Sequence, residues 1–327
     1  MVLACGAVGP RRAGDSAYTE IASSSPPREG SAPTILVFMP RTTQTMEVWA
    51  GLRDELVSDF KVVAVEVSNR DSSATIAEGV RRHRPSAIVL MNNPTLAAYA
   101  EYQHLSREKS FPPALVIMTS FLERRPAQIE SATGISYEVP LITVVTNLRK
   151  LIAAPIDRIG IVVRSPLRGF AGKQATLAAR EHITLVQEEV SAEANSSEIK
   201  RAVRRLKQQC DALWILNDDH LLTPRLITEG WLPGLNERPW IPSIVGAGSL
   251  VSPTQSFGTF AVLPDHTALG AQAASVLLDL ADNGWTLAND AQIQLPLSTT
   301  TTIDLVQARE RFVLRADALQ KVDRVLQ

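Results

Sequence analysis

Short apolar runs alternate with longer amphipathic stretches along most of this chain. Thr34–Met39 carries no charge and reads as a strand buried on both faces. Thr45–Phe60 follows, with Trp49, Leu52, Leu56 and Phe60 at helical spacing. The strand pattern returns at Lys61–Val67, Ala87–Met91 and Ala114–Thr119, and the helical one at Ser73–Arg84 and Pro94–Lys109. Then the order restarts. Leu141–Ala153, Gly169–His182, Ser197–Gln209 and Leu222–Leu232 read as helices, interleaved with strands at Arg158–Val163, Thr184–Val190, Ala212–Leu216 and Trp240–Val245. No sequence repeat links the two halves; the likeness is one of order.

The tail adds single elements. Ser256–Leu263 is strand-like, Asp265–Asn283 is an apolar helix ended by Gly284, and Gln292–Leu305 holds strand candidates. Val306–Phe312 and Ala316–Leu326 read as short helices. This alternation predicts an α/β protein of two lobes, each a parallel sheet flanked by helices. The tail is expected to cross back and complete both. Residues 33–134 plus about 257–285 form the expected N-terminal lobe, and 135–256 plus about 292–327 the C-terminal lobe. Residues 1–32 read as a disordered segment outside both.

A length of 327 residues accommodates two cores. The formal net charge of −1, from 33 basic and 34 acidic residues, leaves no excess to bind a phosphate backbone, so nucleic acid is not an expected partner. No apolar run approaches the ~20 residues that span a bilayer. Cys210 precedes a buried strand and reads as a small core residue. Val2-Leu3-Ala4-Cys5-Gly6 matches the small-residue pattern at which bacterial lipoprotein signal peptides are cut and lipidated, with residues 6–33 as a tether. A signal peptide needs a charged start and an apolar stretch of ~7–15 residues, more than precedes Cys5 here. Two readings stand at this point: a lipid-anchored, periplasmic or extracytoplasmic protein whose true start lies upstream, or a disordered cytoplasmic N-terminus.

Enzyme motifs are absent. Gly169–Gln174 lacks the preceding glycine and the Ser or Thr of a phosphate loop, and Gly246-Ala247-Gly248 lacks the third glycine of a dinucleotide site. No G-x-S-x-G, H-E-x-x-H or C-x-x-C occurs. No catalytic residue, metal or cofactor is expected. Asp218-Asp219-His220, with Asp265-His266, could form a metal or acid/base cluster, but loop solvation and helix capping is the stronger reading of these residues.

Polar residues gather where strands end. Open α/β sheets place ligand groups at the carboxyl ends of their strands. The candidate ligand-binding residues are therefore Thr42, Asn92, Ser120, Ser165, Asn217, Asp218 and Gly246, with Ser136 and Tyr137 in the segment that joins the lobes. Each has an alternative reading as turn chemistry or plain linker. Arg41 or Arg164 is placed to pair with a ligand carboxylate, or is a surface charge.

Four stretches carry a family likeness: Thr133-Gly134-Ile135-Ser136-Tyr137-Glu138-Val139-Pro140-Leu141, Arg158–Val162, Asp211–Pro224, and Leu269-Gly270-Ala271-Gln272-Ala273-Ala274, with Leu295–Ala308 similar too. The sequence resembles the ABC-transporter substrate-binding proteins that include tryptophan- and tyrosine-binding lipoproteins, over about residues 130–320. The resemblance implies a type I periplasmic-binding fold: two lobes, three hinge crossings, and closure on a ligand. It implies a monomeric, non-enzymatic protein that binds a small polar solute, an amino acid or related carboxylate among the candidates, and delivers it to a membrane permease. A ligand-sensing or regulatory lipoprotein is the alternative. Where the family commonly carries Asp-Pro after the fourth strand, this chain reads Ser120-Phe121-Leu122-Glu123.

Overall fold

The computed structural model describes residues 18–24, 32–68, 72–124, 129–288 and 292–327. The first lobe contains β1 (Thr19–Ser24), β2 (Thr34–Met39), α1 (Thr43–Leu56), β3 (Lys61–Glu66), α2 (Ser72–His83), β4 (Ala87–Met91), α3 (Asn93–Leu105), β5 (Ala114–Ile117) and β6 (Ala132–Gly134). Its sheet runs β1-β3-β2-β4-β5-β6 and is parallel apart from β1. Strand side chains alternate between two cores. Ile35, Val37 and Met39 enter the core that also contains Val48 and Leu52 of α1, while Leu36 and Phe38 enter the core with Ile76 of α2 and Tyr99 of α3. An uninterrupted apolar strand is what two covered faces require.

β1 corrects the expectation of a disordered tether through residue 32. Thr19–Ser24 pairs antiparallel with β3, Thr19 opposite Glu66 and Ser24 opposite Val62. Ile21 and Ala22 pack on the adjoining core, and the added strand satisfies the edge of β3. Six residues of mixed polarity show no period that announces this. Residues 1–17, with Cys5, and 25–31 lie outside the described residues.

The second lobe contains α4 (Leu141–Arg149), β7 (Arg158–Arg164), α5 (Arg168–Ala179), β8 (Thr184–Val190), α6 (Ser196–Lys207) and β9 (Ala212–Ile215). It continues with α7 (Pro224–Leu226), a π turn at Ile227–Trp231, α8 (Leu232–Asn236), β10 (Ser243–Val245) and β11 (Phe260–Pro264). The tail then supplies α9 (His266–Asp282), β12 (Thr299–Asp304), α10 (Leu305–Arg311) and β13 (Arg324–Leu326). The second sheet runs β13-β12-β11-β10-β9-β7-β8; its β11 and β12 pair antiparallel and its other strand pairs are parallel. The expected helix at Ala316–Leu326 is instead a short 3-10 turn at Ala318–Lys321 followed by β13. Asp323 fixes that strand: its Oδ2 accepts from Thr301 N and Oγ1, both at 2.7 Å.

Three crossings join the lobes. Ile135–Pro140 leads from β6 to α4, Asp265 leads from β11 to α9, and residues 294–298 lead back into β12. Gln294 N donates to Gly134 O at 2.9 Å, Ser136 N to Gln294 O at 2.8 Å, and Asp265 N to Ser298 O at 3.0 Å. The backbones of the crossings are therefore laced side by side. β11 belongs to the second sheet, so residues 257–264, assigned above to the N-terminal lobe, lie in the other one, and the chain crosses at Asp265. α9 does return to the first lobe, where it packs on α1. A Cβ at Gly51 would strike the Thr267 carbonyl, and one at Gly270 the Val48 carbonyl, so this close approach needs glycine on both helices. Among the described residues, no helix is long and apolar enough to cross a membrane.

Candidate ligand cleft between the lobes

The strand ends of both sheets meet a cleft of about 1150 Å³. The first lobe supplies Thr42, Gln44, Glu47, Asn92 and Met118; the crossings supply Tyr137, Asp265 and His266; the second lobe supplies Asn217, Ser249, Thr300, Thr302, Asp323 and Arg324. Four of the residues expected from the sequence line it: Thr42, Asn92, Tyr137 and Asn217.

Each is set by local structure. Thr42 caps α1, its Oγ1 accepting from Thr45 N at 3.2 Å. Asn92 caps α3, its Oδ1 accepting from Thr95 N at 3.0 Å. Its backbone, at φ 90° and ψ 167°, lies in a region that is essentially glycine's own, so the surroundings hold this residue in a strained conformation. Asn217 donates from Nδ2 to Ser120 Oγ at 3.1 Å, a hydrogen bond from lobe to lobe. Tyr137 begins a relay that runs to α9 and on to α1. Its hydroxyl lies 3.0 Å from His266 Nε2, and His266 Nδ1 lies 2.8 Å from Glu47 Oε2. The Tyr137 and His266 rings stack at 6.1 Å with planes 3° apart. Burial, with the Glu138 and Glu47 charges, pushes the Tyr137 hydroxyl up to about 12, so it stays neutral.

Other expected residues lie elsewhere. Asp218 is 2% exposed and committed to Arg164, whose Nε and Nη2 donate to its two oxygens at 2.7 and 2.8 Å. Oδ1 also accepts from His220 N at 3.1 Å. Neither partner of this bidentate pair lines the cleft, and the hydrogen bond to Asp218 holds the Arg164 guanidinium above its ordinary pKa. Asp218 is therefore a structural residue, and its loss is expected to affect the fold. Ser165 is exposed in a 3-10 turn and Arg41 is exposed on the approach to α1; neither lines the cleft. Ser136 lines a separate space of about 180 Å³ with Glu138, Phe121, Phe170 and Lys173. Gly246 borders a space of about 20 Å³ behind Asn217. Ser120 does not itself line the cleft, and its Oγ accepts from Asn217 Nδ2. Asp219 and His220 line a further pocket, of about 520 Å³, on the second lobe. No group of three or more His, Cys, Asp or Glu suited to a metal occurs among the described residues.

Sequence reasoning missed Glu47, Thr300, Thr302 and Asp323. Glu47 had a signal, since it lies on the first turns of a helix that starts at a strand end. The β12 and β13 residues had none, because their place depends on long-range pairing of the tail.

No family model and no curated protein matches the chain. Solved structures do. A substrate-binding protein with adhesive properties from Clostridium difficile, CD0873 in its ligand-free open form, aligns at TM-score 0.62 and 12% identity over 90% of this chain and 99% of that one. An ABC domain from Streptococcus pneumonia in complex with L-Trp aligns at 0.57 and 14% identity over 91% and 100%. A conserved domain protein from Vibrio cholerae aligns at 0.56 and 14% identity over the same shares. This chain has the type I periplasmic-binding fold.

Contacts between the lobes also flank the cleft. Phe121, from the first lobe, is 7% exposed within the hydrophobic core of the second. Its ring meets Phe170 edge-on at 5.3 Å, and Phe170 in turn lies 6.0 Å from Trp214. Phe121 N donates to Glu138 Oε1 at 2.9 Å, and Lys173 Nζ reaches Glu123 Oε2 at 2.6 Å. Phe121 holds φ at 54°, a left-handed conformation costly for an aromatic residue. These contacts come from the segment that stands in place of Asp-Pro. They fasten the lobes on one side of the cleft.

Proposed function

We propose that this chain is the extracytoplasmic solute-binding component of an ABC transporter and takes a small polar solute between its lobes. The observation that carries the reading is the cleft itself. It is walled by both lobes and by Tyr137 and Asp265 of two crossings, so one bound molecule would bridge the two lobes. Its volume of about 1150 Å³ is near the upper end of the usual range for small-molecule sites, roughly 300–1,000 Å³. Thr42, Asn92, Tyr137 and Asn217 are the assigned ligand contacts, with Ser120 positioning Asn217. An amino acid is one class to screen. In this reading the protein acts as a monomer, is anchored through a lipid on Cys5, and hands its solute to a membrane permease.

Native mass spectrometry of the gently purified protein tests it. A stoichiometric small molecule, lost in the Asn92→Ala, Tyr137→Phe double variant, is the expected result. Retention undiminished in that variant would remove the cleft as the site.

A further inference from the structure

We infer that the cleft selects a small solute bearing a protonated amine or another organic cation, with Glu47 as its charge partner. This rests on the solute-binding reading above and adds the ligand's chemical class.

Three carboxylates line the cleft, Glu47, Asp265 and Asp323, against one guanidinium, Arg324. Asp265 and Asp323 each spend an oxygen inside the protein, on Ala268 N and on Thr301. Glu47 differs from both in how it is held. His266 grips its Oε2, Tyr137 grips His266 from the other side, and Oε1 has no partner among the described residues. A carboxylate whose position is fixed by a stacked and hydrogen-bonded relay meets a ligand without first being ordered. The Glu47 side chain is 49% exposed while His266 is 11% exposed, so the fixed end is sheltered and the free end reaches solvent.

The cationic side chains that would serve an anionic solute are elsewhere. Arg164 is spent on Asp218, and Arg41 does not line the cleft. A ligand carboxylate would meet Arg324 alone, across from three like charges. A ligand ammonium would meet Glu47 with Tyr137 beside it, and the neutral phenol oxygen offers a lone pair. The threonine, serine and asparagine groups around this wall accept or donate as required and set no charge preference.

Calorimetric titration of the full chain tests the inference. Spermidine, agmatine and choline serve as cationic probes, L-glutamate and benzoate as anions, and ribose as a neutral solute, each at low and at high salt. At least one cation is expected to bind, more weakly at high salt. Its affinity should fall about 10- to 100-fold in Glu47→Gln, the range for losing a hydrogen bond to a charged group. Glu47→Asp should recover part of it, and unchanged melting of both variants separates the effect from misfolding. Tighter binding of an anion or of ribose than of every cation overturns the charge assignment and leaves the solute-binding reading intact. Cation binding unaffected by Glu47→Gln overturns the role of Glu47. Silence from all three classes overturns both readings.

Discussion

Replacing Phe121 with alanine should release the lobes from one another. The ring is carried by the first lobe but buried in the core of the second, so opening must return it to water. Burying a phenylalanine side chain is worth about 1.5–3 kcal/mol, and its edge-on contact with Phe170 adds about 0.5–1.5 kcal/mol. The Lys173–Glu123 pair is exposed and adds at most about 1 kcal/mol, which salt weakens. Relief of the left-handed φ at Phe121 on opening subtracts on the order of 1 kcal/mol. The net stabilisation of the closed form by the ring is then about 2 kcal/mol, roughly a 30-fold shift in the closed-to-open ratio. Phe121→Ala should therefore open the ligand-free protein, while each lobe keeps its own core. Small-angle scattering would show a larger radius of gyration. Energy transfer between dyes on Ser58→Cys and Arg201→Cys, in a Cys5→Ser background, would show a new population at a different separation. Unchanged scattering and transfer, with melting equally unchanged, would refute the claim that this ring holds the lobes together.

Four further outcomes follow from particular residues. Asp218→Asn leaves Arg164 buried without its charge partner and should lower unfolding free energy by about 3–5 kcal/mol in urea titration; a loss below about 1 kcal/mol would contradict the structural role given to the pair. Gly270→Ala forces a methyl against the Val48 carbonyl and should cost about 1–3 kcal/mol, read as a fall in melting temperature, and an unshifted melt would count against the close α1–α9 approach. Burial pushes the Cys210 thiol up to about 11, so at pH 8 it should resist a disulfide reagent in the native Cys5→Ser protein and react fully in urea; rapid native labelling would show it to be accessible. Burial also lowers the His83 pKa below 6.5, so below that pH the unfolded chain takes up a proton that the folded one refuses. Stability should fall as pH drops through about 6.5 and level off below the folded value, and His83→Gln should flatten that slope; equal slopes in the two proteins would exclude this histidine.

The fold was legible where burial is two-sided. Thr34–Met39 and Ala87–Met91 coincide with β2 and β4 to the residue, since apolar runs bounded by turn residues leave little room for error. Helix ends were less so: the pattern from Pro94 ran on to Lys109, yet α3 stops at Leu105, and Ser106 is already extended. The edges were hidden. β1 and β13 are strands because a neighbouring edge is unpaired, a property of the sheet and not of six or three residues. The site divides the same way. Asn92 and Asn217 follow their strands and were visible from strand ends alone. Arg164 and Asp218 looked equally available, and only their meeting across 54 residues shows that they neutralise each other. Glu47 and His266 stand 219 positions apart, and no local rule joins them.

The central claim is that a solute binds between the lobes. It is tested most directly by thermal denaturation of the full chain against a broad solute panel, repeated on the Asn92→Ala, Tyr137→Phe variant. A ligand at one hundred times its dissociation constant should stabilise the native protein by about 2.7 kcal/mol. The account predicts a saturable rise in melting temperature with one chemical class, absent from the variant. A rise of equal size in the variant, or none with any solute, would contradict it.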